Sequence, residues 1–162
     1  MANYIHNEKA GPEYDININN AYTEVFISSL AVSGSFLAKE SAEVDLITWI
    51  CSRDQAVLGN GVVGFDIDEM PWSAKAEVFV KQKIFLLKVV ERAKNKTDKE
   101  ALGYEINETS VNFLNQFMVS ISAFKYEFVT GLQEWWIPPD PDLKKCAVHN
   151  VYLHVEGCVV CH

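Results

Sequence analysis

The segment PWSAKAEVFVKQKIFLLKVVERAKNK, residues 71–96, carries the clearest secondary-structure signal in the chain. Ala76, Phe79, Val80, Leu86, Leu87, Val90 and Ala93 recur at helical spacing. Pro71 and Ser73 are start signals, and Arg92, Lys94 and Lys96 gather where the helix dipole is negative. A second long helix is expected from Ser110 to Glu134. Its stripe is Phe113, Phe117, Ile121, Phe124, Phe128, Leu132 and Trp135, widened by Leu114 and Met118. Pro138, Pro139 and Pro141 stop it and begin a stiff linker. Thr97 with Glu100 matches a capping box between the two helices.

Upstream, Ser41 reads as the N-cap of a short buried helix to about Cys51, with Glu43 and Asp45 in its first turn. The stretch from Ala21 to Ala38 fits either a helix capped by Asn19 or Asn20 or a strand around Val25–Ile27, and helix is chosen. Residues 1–19 read as an irregular arm with a short strand at Asp15–Ile18. Asn60-Gly61, between the apolar runs of residues 55–67, is a hairpin signal, because both residues tolerate positive φ. The expected fold is therefore α+β and α-rich: a helical core with two long amphipathic helices and a small β-hairpin.

Length, composition and charge bound the function. The 162 residues fit one domain on the usual ~100–200 residues per domain. Apolar residues make up 49% and charged residues 22%, which is ordinary for a globular chain. The net charge of −8 argues against a duplex nucleic-acid partner, since phosphate neutralisation needs Lys and Arg. The charge is uneven: residues 73–100 hold eight basic and four acidic side chains, whereas residues 1–72 hold three and eleven. A solvated helix face explains the basic segment more simply than a partner site does. The N-terminal residues show no secretory signal, and no apolar run reaches the ~18 residues a membrane span needs. A cytoplasmic protein is expected, in which clustered cysteines point to metal or redox chemistry rather than disulfides.

That cluster lies at residues 146–162: Cys146-Ala-Val-His149, eight intervening residues, then Cys158-Val-Val-Cys161-His162. Two ligands two residues apart can reach one ion from a tight turn. Two such turns supply the four tetrahedral ligands that zinc prefers. The segment resembles the zinc-ribbon and zinc-knuckle modules over residues 146–161. That resemblance implies Cys146, His149, Cys158 and Cys161 as ligands of a structural Zn2+, in a compact knuckle packed on the body. A single globular domain over residues 1–140 with a knuckle over 141–162 follows.

The same residues are open to other chemistries. Cys158-Val-Val-Cys161-His162 also fits c-type haem attachment, but that leaves Cys146 and His149 without a role. A thioredoxin-like pair ordinarily opens a helix after a strand, which this pair does not. His154 and His162 are spare donors, and His162 can stand in for His149. Cys51, in an apolar helix, is expected to be an inert buried thiol. Asp66, Asp68 and Glu69 form an acidic cluster, best explained as an exposed loop. Gly59, Gly61 and Gly64 match G-x-G-x-x-G but lack the strand–loop–helix setting of a phosphate loop. Trp72, Trp135 and Trp136 are candidates for a binding surface. No catalytic residue is assigned. The expected role is a small zinc-binding adaptor or regulator with a protein partner. Two alternatives stand beside it. One is an acidic inhibitor or immunity-type protein masking a basic partner. The other is a zinc-dependent hydrolase, with an open coordination position and Glu156 or Asp68 as base.

Overall fold

A computed structural model describes residues 2–129 and 143–162 and shows a helix-rich α+β architecture. Its sheet is built from β1 (Ala2–His6), β2 (Ile16–Asn19) and β3 (Phe65–Asp66), in the order β2-β1-β3. β1 and β2 are antiparallel, with Ile5 opposite Ile16, and β1 and β3 are parallel, with Ile5 opposite Phe65. The expected strand near Ile16 and Ile18 is present, but β1 replaces the irregular arm. Its inward face carries Asn3 beside Ile5, so an apolar alternation never shows. Buried Asn3 is fully engaged. Its Nδ2 donates to Thr23 Oγ1 at 3.0 Å and Asn20 Oδ1 at 3.1 Å, and its Oδ1 accepts the Val63 N–H at 2.9 Å.

Helix α1 (Asn20–Leu37) is the central element and packs against every longer helix. Asn19 Oδ1 accepts the Tyr22 N–H at 3.0 Å, the capping expected of an Asn at this position. Phe26, Ile27, Leu30 and Ala31 are buried together with Ser28, Ser29, Ser33 and Ser35, which is why no single apolar stripe marks α1 in the sequence. Helix α2 (Ser41–Cys51) is capped one residue earlier than expected: Glu40, not Ser41, is the N-cap, in a reciprocal box with Glu43. The acidic side chains favoured in a positive first turn thus do the capping as well.

The hairpin expected at Asn60-Gly61 does not form. Residues Gln55–Leu58 curl into a short helix, α3, because Asp54 caps it by accepting the Ala56 N–H at 2.9 Å. Gly61 does take positive φ, at 79°. The chain beyond it pairs with β1 instead of folding back on residues 55–58. Arg53 holds this crossing in place, donating to the carbonyls of Val63 at 2.8 Å and Gly64 at 2.9 Å. Gly64 lies flat on β1, where a Cβ would sit 2.4 Å from the Tyr4 carbonyl oxygen. That contact, not a phosphate, explains the glycine.

Helix α4 (Ala76–Lys94) starts later than the expected opening at Pro71 and Ser73, which lie in a loop that Trp72 anchors through Nε1 to the Ile67 carbonyl. Its buried face carries Phe79, Leu86, Val90 and Ala93 as expected, joined by Gln82, Phe85 and Val89, whereas Ala76 and Val80 are exposed. Helix α5 (Lys99–Leu102) is capped from Asp98 rather than Thr97, and no side chain closes a capping box there. The Asp98 carboxylate is already held by Arg92 at 2.8 Å and by Ser33 Oγ. Helix α6 (Glu108–Ala123) is shorter than expected. Phe124 leaves the helical path and stacks on Trp72, with centroids 5.3 Å apart. Lys83 Nζ then donates to the carbonyls of Ser122 and Phe124, satisfying the end of the helix. A 3₁₀ turn at Tyr126–Phe128 follows. Leu132, Trp135, Trp136 and the proline linker lie outside the described residues.

Candidate metal centre

Residues 143–162 form two turns stapled by backbone hydrogen bonds. The Cys146 N–H donates to the Val151 carbonyl and the Asn150 N–H to the Cys146 carbonyl, each at 2.8 Å, with Asn150 at φ 56°. His154 and Gly157 exchange N–H···O bonds of 2.8 and 3.0 Å around a tight bend, Gly157 taking φ 118°. The Cys161 N–H closes the second turn on the Cys158 carbonyl at 3.1 Å. Between the pairs the backbone forms no named strand, only two isolated bridges, Lys145–Tyr152 and His154–Gly157.

These turns bring together all four residues expected as ligands. Cys146 Sγ is 3.7 Å from Cys161 Sγ and 3.7 Å from His149 Nδ1. His149 Nδ1 is 3.8 Å from Cys158 Sγ and 3.4 Å from Cys161 Sγ. All four donor atoms lie within 4.8 Å of one another, close enough to bind a metal ion. The spacing is informative. Around one tetrahedral zinc, bonds of ~2.3 Å to sulfur and ~2.05 Å to nitrogen place sulfurs about 3.8 Å apart and sulfur about 3.5 Å from nitrogen. His149, not His162, faces the thiols.

The thiols differ in acidity. The backbone N–H groups of His149 and Val148 lower Cys146 to about 6 by stabilising its thiolate. Cys161 is pushed up to about 11, chiefly by its hydrogen bond to Cys146. Cys51 is not among the converging donors. Burial pushes it up to about 12, as fits an inert thiol.

The tail is seated on the helical body. Val151, Cys158 and Val159 are buried in the same apolar cluster as α1, α2 and α4. Lys145 Nζ donates to the Ser35 carbonyl at 2.7 Å, and the Tyr152 N–H to Ser35 Oγ at 3.1 Å. His154 and His162, expected to be spare, both contact Asp54. Sequence reasoning missed Asp54, whose only local signal is its position ahead of a four-residue helix.

The other candidates resolve into structure. Asp66 caps a 3₁₀ turn at Ile67–Glu69 by accepting the Asp68 N–H, and the Asp66 N–H donates to Glu69 Oε2. Asp68 pairs with Lys9 at 3.3 Å and its carboxyl is raised by burial. Trp72 is buried, so it belongs to the core and not to a surface. Among the described residues no helix is long and apolar enough to cross a membrane.

No protein-family model, curated protein or solved structure matches this chain.

Proposed function

We propose that this is a small cytoplasmic zinc-binding protein that acts by protein–protein interaction, with a structural Zn2+ held by Cys146, His149, Cys158 and Cys161. One observation carries the reading: three thiols and an imidazole converge within 4.8 Å of one another, and the separations of 3.4–3.8 Å among them are those expected around a tetrahedral ion. Four protein ligands leave no position for a reacting water, so the metal is a clamp and not a catalyst. The spare histidines are engaged elsewhere, which favours the clamp over the hydrolase. In this reading residues 1–140 form the body and residues 141–162 the knuckle.

The partner belongs to the same proposal. An open cavity of about 650 Å³ beside β1 and β3 is lined by Glu8, Asp15, Asp66 and Glu69 together with His6, Tyr4 and Phe65. Its acidity favours a basic protein segment, in keeping with a net charge of −8. Elemental analysis and Co2+ substitution test the centre. One metal per chain with an absorption spectrum of tetrahedral thiolate ligation is expected. A chain that takes up no zinc, or three protein ligands with a bound water, overturns the structural role.

A further inference from the structure

His154 and His162 lie on different halves of the knuckle. His154 sits between His149 and Cys158, and His162 follows Cys161. Both reach one atom of the body. Asp54 Oδ2 is 2.8 Å from His154 Nε2 and 2.5 Å from His162 Nδ1. The two rings meet edge to face at 5.8 Å. Asp54 is 2% exposed, and its other oxygen caps α3. The histidines are thus the donors that a buried carboxylate oxygen needs in place of water.

Two imidazoles and a carboxylate are also a donor set for a divalent ion, and these three groups lie within ligand range. The proton arrangement argues otherwise. The Glu156 N–H donates to His154 Nδ1 at 3.1 Å, so the hydrogen-bond pattern puts the ring proton on Nε2, facing Asp54. A ligating histidine turns its second nitrogen to an acceptor, whereas here that nitrogen faces a donor. The 2.5 and 2.8 Å separations are hydrogen-bond lengths. Donors around a tetrahedral ion at ~2.05 Å would stand about 3.3 Å apart.

We propose that Asp54 is the receptor on the body for the metal-loaded knuckle, a positioning residue that raises metal affinity at the Cys146–His149–Cys158–Cys161 centre by holding both of its turns in register. This rests on the metal reading above. A metal ion cross-links the turn at 146–149 to the turn at 158–161. The same cross-link orders the loop that carries His154 and the backbone that carries His162. Docking on Asp54 orders those segments from the other side. Each event lowers the conformational entropy the other must overcome. Metal binding and docking therefore strengthen one another by the same factor.

The test uses the full chain, Zn2+ and Co2+ as probes, and Asp54→Asn. Asn caps a helix as well as Asp does, so α3 keeps its cap. Its amide N–H₂, however, faces the His154 Nε2–H, donor against donor. The variant is expected to bind one Co2+ per chain with the wild-type spectrum, because all four ligands remain. Its affinity, in competition with a chromogenic chelator, is expected to fall about 10–100-fold. The rise in Tm on adding Zn2+ should shrink, while Tm in excess chelator barely changes. His154→Ala, which leaves the carboxylate and α3 intact, should weaken binding in the same direction and serves if Asp54→Asn folds poorly. Wild-type affinity in both variants overturns the proposal. So does a lowered chelated Tm with unchanged affinity, which would mean that Asp54 only caps α3. A wild-type chain that takes up no metal sinks the centre first, and this proposal with it.

Discussion

Gly34 on α1 lies against Ile47 on α2 so closely that a Cβ at Gly34 would sit 2.2 Å from Ile47 Cδ1 and 2.7 Å from Cγ1. Ile47 is fully buried, so its side chain would have to shift within the packed core to make room. The missing side chain lets the two helices approach, as small residues do wherever helix backbones come close. Gly34→Ala should gain helix propensity yet lose stability, by about 1–3 kcal/mol for overpacking a tight core. Chemical denaturation of the metal-loaded protein reads this directly. A stabilised variant would mean that α1 and α2 are further apart.

Asn3 is the polar hub beneath the sheet, and removing it should be costly. In Asn3→Ala the buried Val63 N–H loses its acceptor and Thr23 and Asn20 lose a donor. A loss of about 1–3 kcal/mol is expected for the stranded donor alone, with further loss for the cavity. Equilibrium unfolding checks the size. Hydrogen exchange at Val63 checks the cause, because that amide should lose protection more than the amides of α6 do.

Asn3 also explains which parts of the fold were legible in the sequence. Helix α4 was, because most of its buried residues are apolar and repeat at helical spacing, although Val80 and Ile84 stay exposed and Gln82 is buried. β1 was hidden because Asn3 occupies an inward position where an apolar residue would have announced a strand. The hairpin was misplaced for a related reason. Asn60-Gly61 does turn the chain, but the partner of Phe65 is Ile5, some sixty residues away, and no local pattern encodes that pairing. The end of α6 depended on Trp72 and Lys83, which are also remote from Phe124 in the sequence.

The centre was legible because ligand spacing is local: each pair spans one turn. Its support was not, since Asp54 and Ser35 belong to other elements. Substitutions should separate these roles. Cys158→Ser and Cys161→Ser each remove a thiolate and should abolish most metal binding. His162→Ala keeps all four ligands and should still take up one metal per chain. Metal content after desalting decides, and a His162→Ala chain without metal would make His162 a ligand.

Metal uptake should depend on pH with a defined sign. The thiolate, not the thiol, binds the metal, so protons and metal compete. Cys146 in the metal-free chain ionises at about 6, so near neutral pH this ligand is largely deprotonated before metal arrives. Cys161, pushed up to about 11, still carries its proton and must release it on binding. Apparent affinity should therefore rise with pH through the neutral range. Each added pH unit should strengthen binding by about tenfold for every proton displaced. Below about 6 the slope should steepen as Cys146 also takes up a proton. Competition titrations against a chelator of known proton affinity, between about pH 5 and 8, measure the slope. Affinity that is flat across this window would mean that the thiols are already ionised in the metal-free chain, contrary to the hydrogen bonding around Cys161. Zinc loss on acidification should also lower the stability of the whole chain, not the tail alone, because Val151, Cys158 and Val159 are part of the common core. Melting curves with and without chelator at one fixed pH separate that effect from acid unfolding of the body.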